Sequence, residues 1–202
     1  MKKHNVPTWY IDSCNKIKYM FPKAHAAAYV LSAVRVAWWK LYYPREYYAV
    51  YFSTRCDFYD IETLIQGKEM ILSKYNAILK MKQEGGKASN KEEGLITVYE
   101  IAMEMYDRGY HFNNVNLDLS AASVFIKDPT DEKGILPPFT SIDGLGTAVA
   151  DTVIDARNKG SFLSKEDVIK RTKLNNSQID FLTKLGVFNH LSEENQMSLF
   201  DL

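Results

Sequence analysis

The sequence predicts a mainly α chain, of the α+β kind with a small minor strand component, in which a helical segment is followed by short helices gathered around a glycine turn. Three observations predict it. Residues 24–43 are Ala-rich, hold no Gly or Pro, and stop at Pro44. Beyond residue 140, three short segments with helical apolar spacing are separated by Gly160, Ser164, Asn175-Asn176 and Gly186. Only one stretch, "VNLDLSAASVFIK", alternates with a period of two, at Val115, Leu117 and Leu119.

Taken in order, residues 24–43 form one long helix, and Pro44 suits the first position of a second, "PREYYAVYFSTR". A third helix covers roughly 60–83 and ends at Gly85-Gly86. "EGGKASNKEEG" is a polar loop. Asn90, with Glu93 three residues later, has the form of a capping box and opens a helix that runs to Arg108 and Gly109. The alternating stretch is the strand, and "ILPPFTS" is an extended connector. The three last helices fall near 146–158, 165–172 and 177–185, with Ser164 as an N-cap and Gly186 as a C-cap. This divides the chain into a helical segment at 1–84, a linker with a helix and short strands at 85–140, a hairpin domain at 141–191 and a tail at 192–202.

A chain of 202 residues, 46% hydrophobic, is long enough for a sizeable core. Its densest apolar stretch, "AAAYVLSAVRVAWWKLYY", is broken by Arg35 and Lys40 and predicts a buried helix rather than a membrane span. No signal-peptide pattern is present, so the expected location is cytoplasmic, with no membrane partner. Two cysteines make a disulfide framework improbable, and no Cys/His pair has zinc spacing. The formal net charge is zero, against simple non-specific nucleic-acid binding. Residues 1–56, however, carry nine lysines and arginines against two acids, a net +7, which leaves −7 for the rest. A basic head on an acidic body binds a polyanion locally.

Three stretches carry chemistry. In "SIDGLGTAVADTVIDAR", Ile142, Leu145, Ala150, Val153 and Ile154 are spaced like two helices meeting across a tight turn that holds Gly144 and Gly146. Glycines there expose successive N–H groups, of Gly144, Gly146 and Thr147, at a helix N-terminus, where a phosphate oxygen fits. An ordinary αα-hairpin is the plain alternative; Arg157, further down the second helix, adds a cation. The second stretch places Lys23 and His25 at the start of the long helix, with Tyr29 on the same face as His25. A cation, an imidazole and an aromatic ring suit a phosphate-bearing ligand with a base to stack; a core helix with a polar first turn is the alternative. Trp38, Trp39, Tyr42 and Tyr43 read as core. The third is the terminal "NQMSLFDL", where Gln196, Leu199 and Phe200 form Q-x-x-L-F and read as a docking peptide leashed by residues 187–195, unless they fold back on the last helix.

Together and in this order, the three stretches resemble the C-terminal end of the replicative DNA polymerase III alpha subunit of the PolC type. "KIKYMFPKAHAAAYVLSAVRVAWW" resembles its fingers segment. The glycine turn within "LPPFTSIDGLGTAVADTVIDARNKGSFLSKEDVIKRTKLNNSQIDFLTKLG" resembles its helix-hairpin-helix, a binder of DNA backbone without sequence preference. "NQMSLF" resembles its sliding-clamp tail. The resemblance implies incoming-nucleotide contacts for Lys23, His25 and Tyr29, duplex contacts for Gly144, Leu145, Gly146, Thr147 and Arg157, and clamp docking for Gln196, Leu199 and Phe200. The implied partners are duplex DNA, the clamp (beta subunit) and the remainder of the polymerase.

The family's polymerase is many times longer. Two-metal nucleotidyl transfer needs palm carboxylates, and residues 1–56 hold no acidic cluster in a strand context. No catalytic residue, metal ligand or cofactor is therefore assigned to this chain; magnesium belongs to the intact polymerase. Asp143, Asp151 and Asp155 depart from the family's pattern and weaken a phosphate site, with Arg157 and Lys159 to offset them. The competing reading is a stand-alone, non-catalytic DNA-binding adaptor that tethers a sliding clamp.

Overall fold

The computed structural model describes residues 1–17 and 22–194. It divides into two units, Met1–Tyr43 and Pro44–Leu202. In the first, a 3-10 turn (Lys2–His4) precedes α1 (Thr8–Lys16) and α2 (Lys23–Tyr42). Tyr43 leaves the helical region (φ −134°, ψ 58°), as a residue before proline must.

The expected burial of the long helix is overturned. No residue of α1 or α2 is buried, and Trp38 and Trp39 remain 46% and 51% exposed. The reason is that Tyr29, Val30, Leu31, Val34, Val36 and Leu41 spread around α2 instead of forming one stripe. A helix apolar on all sides is stable when enclosed, and the first 43 residues offer too little chain to enclose it. Its aromatic rings pack on one another instead: Trp38 lies 5.1 Å from Tyr42, and Trp39 lies 5.1 Å from Tyr43. Among the described residues, no helix is long and apolar enough to cross a membrane.

The second unit holds the core. α3 (Pro44–Arg55) begins at Pro44 as the sequence predicts. The helix expected at 60–83 is two, α4 (Ile61–Leu64) and α5 (Lys68–Gln83), because Gly67 sits at φ 99°, where no helix continues. α6 (Asn90–Asp107) packs along α5, and Ile71, Ile78, Leu95 and Val98 of the two helices belong to one buried cluster. Its capping box lies one residue before the expected one: Ser89 accepts from the Glu92 amide while the Glu92 carboxylate accepts from the Ser89 amide. Both registers satisfy the pattern, and the serine takes it.

The strand expectation over 115–127 holds only at its end, where Ile126–Lys127 is strand, and is otherwise corrected. Residues 115–121 are not a strand; the Asn116 side chain folds them into a turn by accepting from the amides of Asp118 and Leu119. The three-stranded sheet is built from β1 (His111–Phe112), β2 (Ile126–Lys127) and β3 (Gly134–Leu136), in the order β1-β3-β2. β1 runs parallel and β2 antiparallel to β3, so part of the expected connector "ILPPFTS" is strand. The rings of Phe52 on α3, Phe112 on β1 and Phe125 just before β2 meet at 4.9–5.8 Å. After a 3-10 turn (Phe139–Ser141) come α7 (Thr147–Asn158), α8 (Lys165–Arg171) and α9 (Asn176–Lys184), close to their predicted positions, with Ser164 capping α8.

The loop joining β2 to β3 is held by a polar cage. Arg45 donates to the carbonyl of Asp131 at 2.8 Å, and Asn113 donates to the carboxylates of Asp128 (2.7 Å) and Asp131 (3.2 Å). The Lys133 amide, then Asn113 and His111, hold the Asp131 carboxyl down to about 2. A carboxyl with a depressed folded-state pKa stabilises the fold above its unfolded value of 3.8 and loses that contribution as pH falls towards 2. Acid titration followed by circular dichroism should therefore show stability falling between about pH 4 and pH 2. Asp131→Asn should flatten that fall while lowering stability at neutral pH.

Candidate nucleic-acid interface

The glycine turn at 142–147 is positioned by what it buries. Ile142 and Leu145 are each 3% exposed, and Ala150 and Val153 on α7 are fully buried beneath them. The turn closes with the Leu145 amide donating to the Ile142 carbonyl at 3.0 Å. Gly144 sits at φ 74°, a conformation that side chains with a Cβ rarely adopt. The first arm of the hairpin is only a 3-10 turn, Phe139–Ser141, at the end of the stretch expected as an extended connector.

Gly146 is different. It is the N-cap of α7, its φ is an ordinary −78°, and a Cβ built there meets nothing within 4 Å. No internal packing requires glycine. At the matching positions of α4, α6, α8 and α9, the side chains of Asp60, Ser89, Ser164 and Asn175 accept backbone N–H groups. α7, like α1, α2 and α5, has no side-chain cap; the Val149 amide turns back to the Gly146 carbonyl at 3.0 Å, and the Thr147 and Ala148 amides face outward from the helix end. Thr147, its first residue, is exposed.

Sequence reasoning missed two contributors. Gln178 on α9 is 5% exposed and donates through Nε2 to the Gly144 carbonyl at 2.8 Å. The same residue completes a capping box with Asn175, and the N-x-x-Q spacing is the signal that marks it. Phe58 lines, with Asp57, Tyr59 and residues 140–146, an open cleft of about 420 Å³ beside the turn.

The predicted residues are brought together only in part. Gly144, Leu145, Gly146 and Thr147 are contiguous, with Leu145 buried as an anchor. Arg157 lies near the far end of α7, about 15 Å along the helix from the turn. Its guanidinium donates to the carbonyls of Ser120 (2.7 Å) and Leu117 (3.1 Å), and burial pulls its pKa down. It pins α7 to the 117–120 turn. In the first unit, Lys23, His25 and Tyr29 are exposed on α2, and the His25 and Tyr29 rings meet edge-on at 4.7 Å. Gln196, Leu199 and Phe200 lie outside the described residues. The leash expected at 187–195 is corrected: Val187 and Phe188 are 5% exposed, and the backbone carbonyls of Ser192 and Glu193 accept from the amides of Lys165 and Glu166. Among the described residues, no group of three or more His, Cys, Asp or Glu side chains is gathered to hold a metal ion.

Residues 109–198 match a family model described as a helix-hairpin-helix motif. The chain is 50% identical over 200 residues to DNA polymerase III PolC-type of Bacillus subtilis (strain 168), and 46% identical to the proteins of that name from Oceanobacillus iheyensis and Listeria monocytogenes serovar 1/2a. Each match covers 99% of this chain. The chain matches part of a PolC-type DNA polymerase III. It spans 13–14% of the length of these relatives. The PolC match extends through both units, whereas the helix-hairpin-helix match lies wholly in the second.

The placement of Arg157 has a measurable consequence. Arg157→Leu should lower stability by about 1–3 kcal/mol, because it leaves buried carbonyls unpaired. In the folded variant, the affinity for duplex DNA and its salt dependence should stay near the parent's. Denaturant melts and fluorescence anisotropy check the two halves separately.

Proposed function

We propose that this chain is the C-terminal portion of a replicative DNA-directed DNA polymerase, and that its hairpin turn grips the backbone of duplex DNA. The observation that carries the reading is Gly146. A glycine that packing does not require stands at an N-cap where a polar side chain would serve the fold better. It leaves the amides of α7 bare for close approach by a phosphate, whose charge the helix end favours. Such contacts fix position on the duplex and carry no base information.

The remaining assignments extend this reading. Lys23, His25 and Tyr29 contribute contacts to the incoming nucleotide. The all-round apolar surface of α2 supports its being covered by the remainder of the polymerase. The chain does not polymerise alone, and the palm carboxylates and their magnesium belong to that remainder. The cell compartment of this work is the cytoplasm.

Gly144→Val and Gly146→Val should each weaken binding of a short labelled duplex, with a log–log salt slope of only a few units in the parent, at roughly 0.9 per phosphate neutralised. Gly146→Ser is the sharper variant. It should leave stability unchanged or raise it by a few tenths of a kcal/mol, roughly the gain of a capping side chain, while lowering DNA affinity because the serine occupies the amides. Parental affinity in all three variants would remove the site from this turn.

The tail of Gln196, Leu199 and Phe200 docks on the sliding clamp. Burying a Leu and a Phe contributes roughly 1.5–3 kcal/mol each, and ordering several residues opposes it, so a peptide covering 192–202 should bind weakly, no tighter than roughly tens of micromolar. Tethering by the hairpin raises the local concentration enough to make that sufficient. Calorimetry against the clamp should show binding by this peptide and none by the Leu199→Ala/Phe200→Ala peptide.

A further inference from the structure

A side chain from a distant part of the sequence reaches the hairpin turn. Asp143 immediately precedes Gly144, and its Oδ2 is held by Nζ of Lys91, in the first turn of α6. The Lys91 side chain is 40% exposed and that of Asp143 is 75% exposed, so the pair faces solvent. Asp143 also lines the 420 Å³ cleft next to the turn. Lys91 shares its helix face with Gly94, three residues on. The Phe58 ring lies over Gly94 so closely that an added Cβ would come within 2.6 Å of it. One face of α6 therefore carries both an ammonium and the aromatic wall of the cleft to the edge of the turn.

We propose that Lys91 is a further DNA-backbone contact, binding a phosphate oxygen beside the phosphate held by the α7 amides; this rests on the hairpin reading above. A carboxylate one residue from the amide array repels a phosphate. Pairing with Lys91 neutralises it. An ammonium has three donors, so it keeps Asp143 while offering a second hydrogen to DNA.

The test is a cycle on the full chain with a short labelled duplex, measured across a salt titration. Lys91→Ala should weaken binding about three- to tenfold at low salt and lower the slope by about 0.9, the value for one phosphate contact. The same loss should appear in the Asp143→Asn background. If Lys91 does no more than neutralise Asp143, Lys91→Ala will have no effect in that background, and the proposal is overturned. Lys91→Gln, which keeps the stem, should reproduce the slope change and guards against misfolding, as a thermal melt will show. Failure of the hairpin reading is distinct: it shows as parental binding in the two Gly→Val variants. Failure of this inference alone shows as weakened glycine variants beside a Lys91→Ala protein with the parental slope.

Discussion

The second unit depends on three phenylalanine rings. Its strands are two or three residues long, too short for ladder hydrogen bonds to define a sheet. Phe52, Phe112 and Phe125 come from a helix, a strand and a loop, and are 0%, 3% and 4% exposed. Their mutual packing fixes the angle at which α3 crosses the sheet, and edge-to-face contacts such as Phe52–Phe112 favour one arrangement over others. The polar cage of Arg45, Asn113, Asp128 and Asp131 then locks the loop at the sheet's edge. From the other end of β3, the central strand, the chain leaves through Leu136 to Phe139, itself fully buried, and so to the hairpin. The position of the turn is inherited from the rings.

The hairpin shows how a loop is made rigid while its backbone stays bare. Leu145 anchors it from below, and Gln178 takes the Gly144 carbonyl. The end of α7 is stapled by Arg171, which donates to the carbonyls of Gly160 (2.7 Å) and Ser161 (3.0 Å) and covers the Phe162 ring at 4.8 Å. Every fixing contact comes from beside or behind the turn. The amides at the front are thereby held in place before any ligand arrives, so little conformational entropy is lost on binding.

The sequence made α2, α6 and the three short helices after the turn legible, α2 by its Ala-rich run free of Gly and Pro and the others by their apolar spacing and marked ends, whereas the break at Gly67 was read through. It made the turn legible because glycines two residues apart before an apolar helix are unusual. The sheet was not legible. Strands this short carry no period, and the one alternating stretch, around Val115 and Leu117, buries those side chains from a turn that Asn116 enforces. Nor was Lys91, since 52 residues separate it from Asp143 and no local pattern links them. The carbonyl partners of Arg157, at Leu117 and Ser120, were not legible for a related reason: tertiary packing sets them, and no local pattern links them to it.

Charge explains why the proposed grip takes this form. With no net charge on the chain, long-range attraction to a polyanion is weak, and counterion release can involve few phosphates. The second unit is acidic on balance, and Asp151 and Asp155 are exposed on α7 itself. Such a surface cannot hold DNA by a broad basic patch. It can do so only where carboxylates close to the contact are neutralised and where the donors are uncharged amides whose field acts over one helical turn. Asp143 is met by Lys91, so local pairing offsets the carboxylate next to the turn. A contact of that kind is short in range, indifferent to base sequence and easily released.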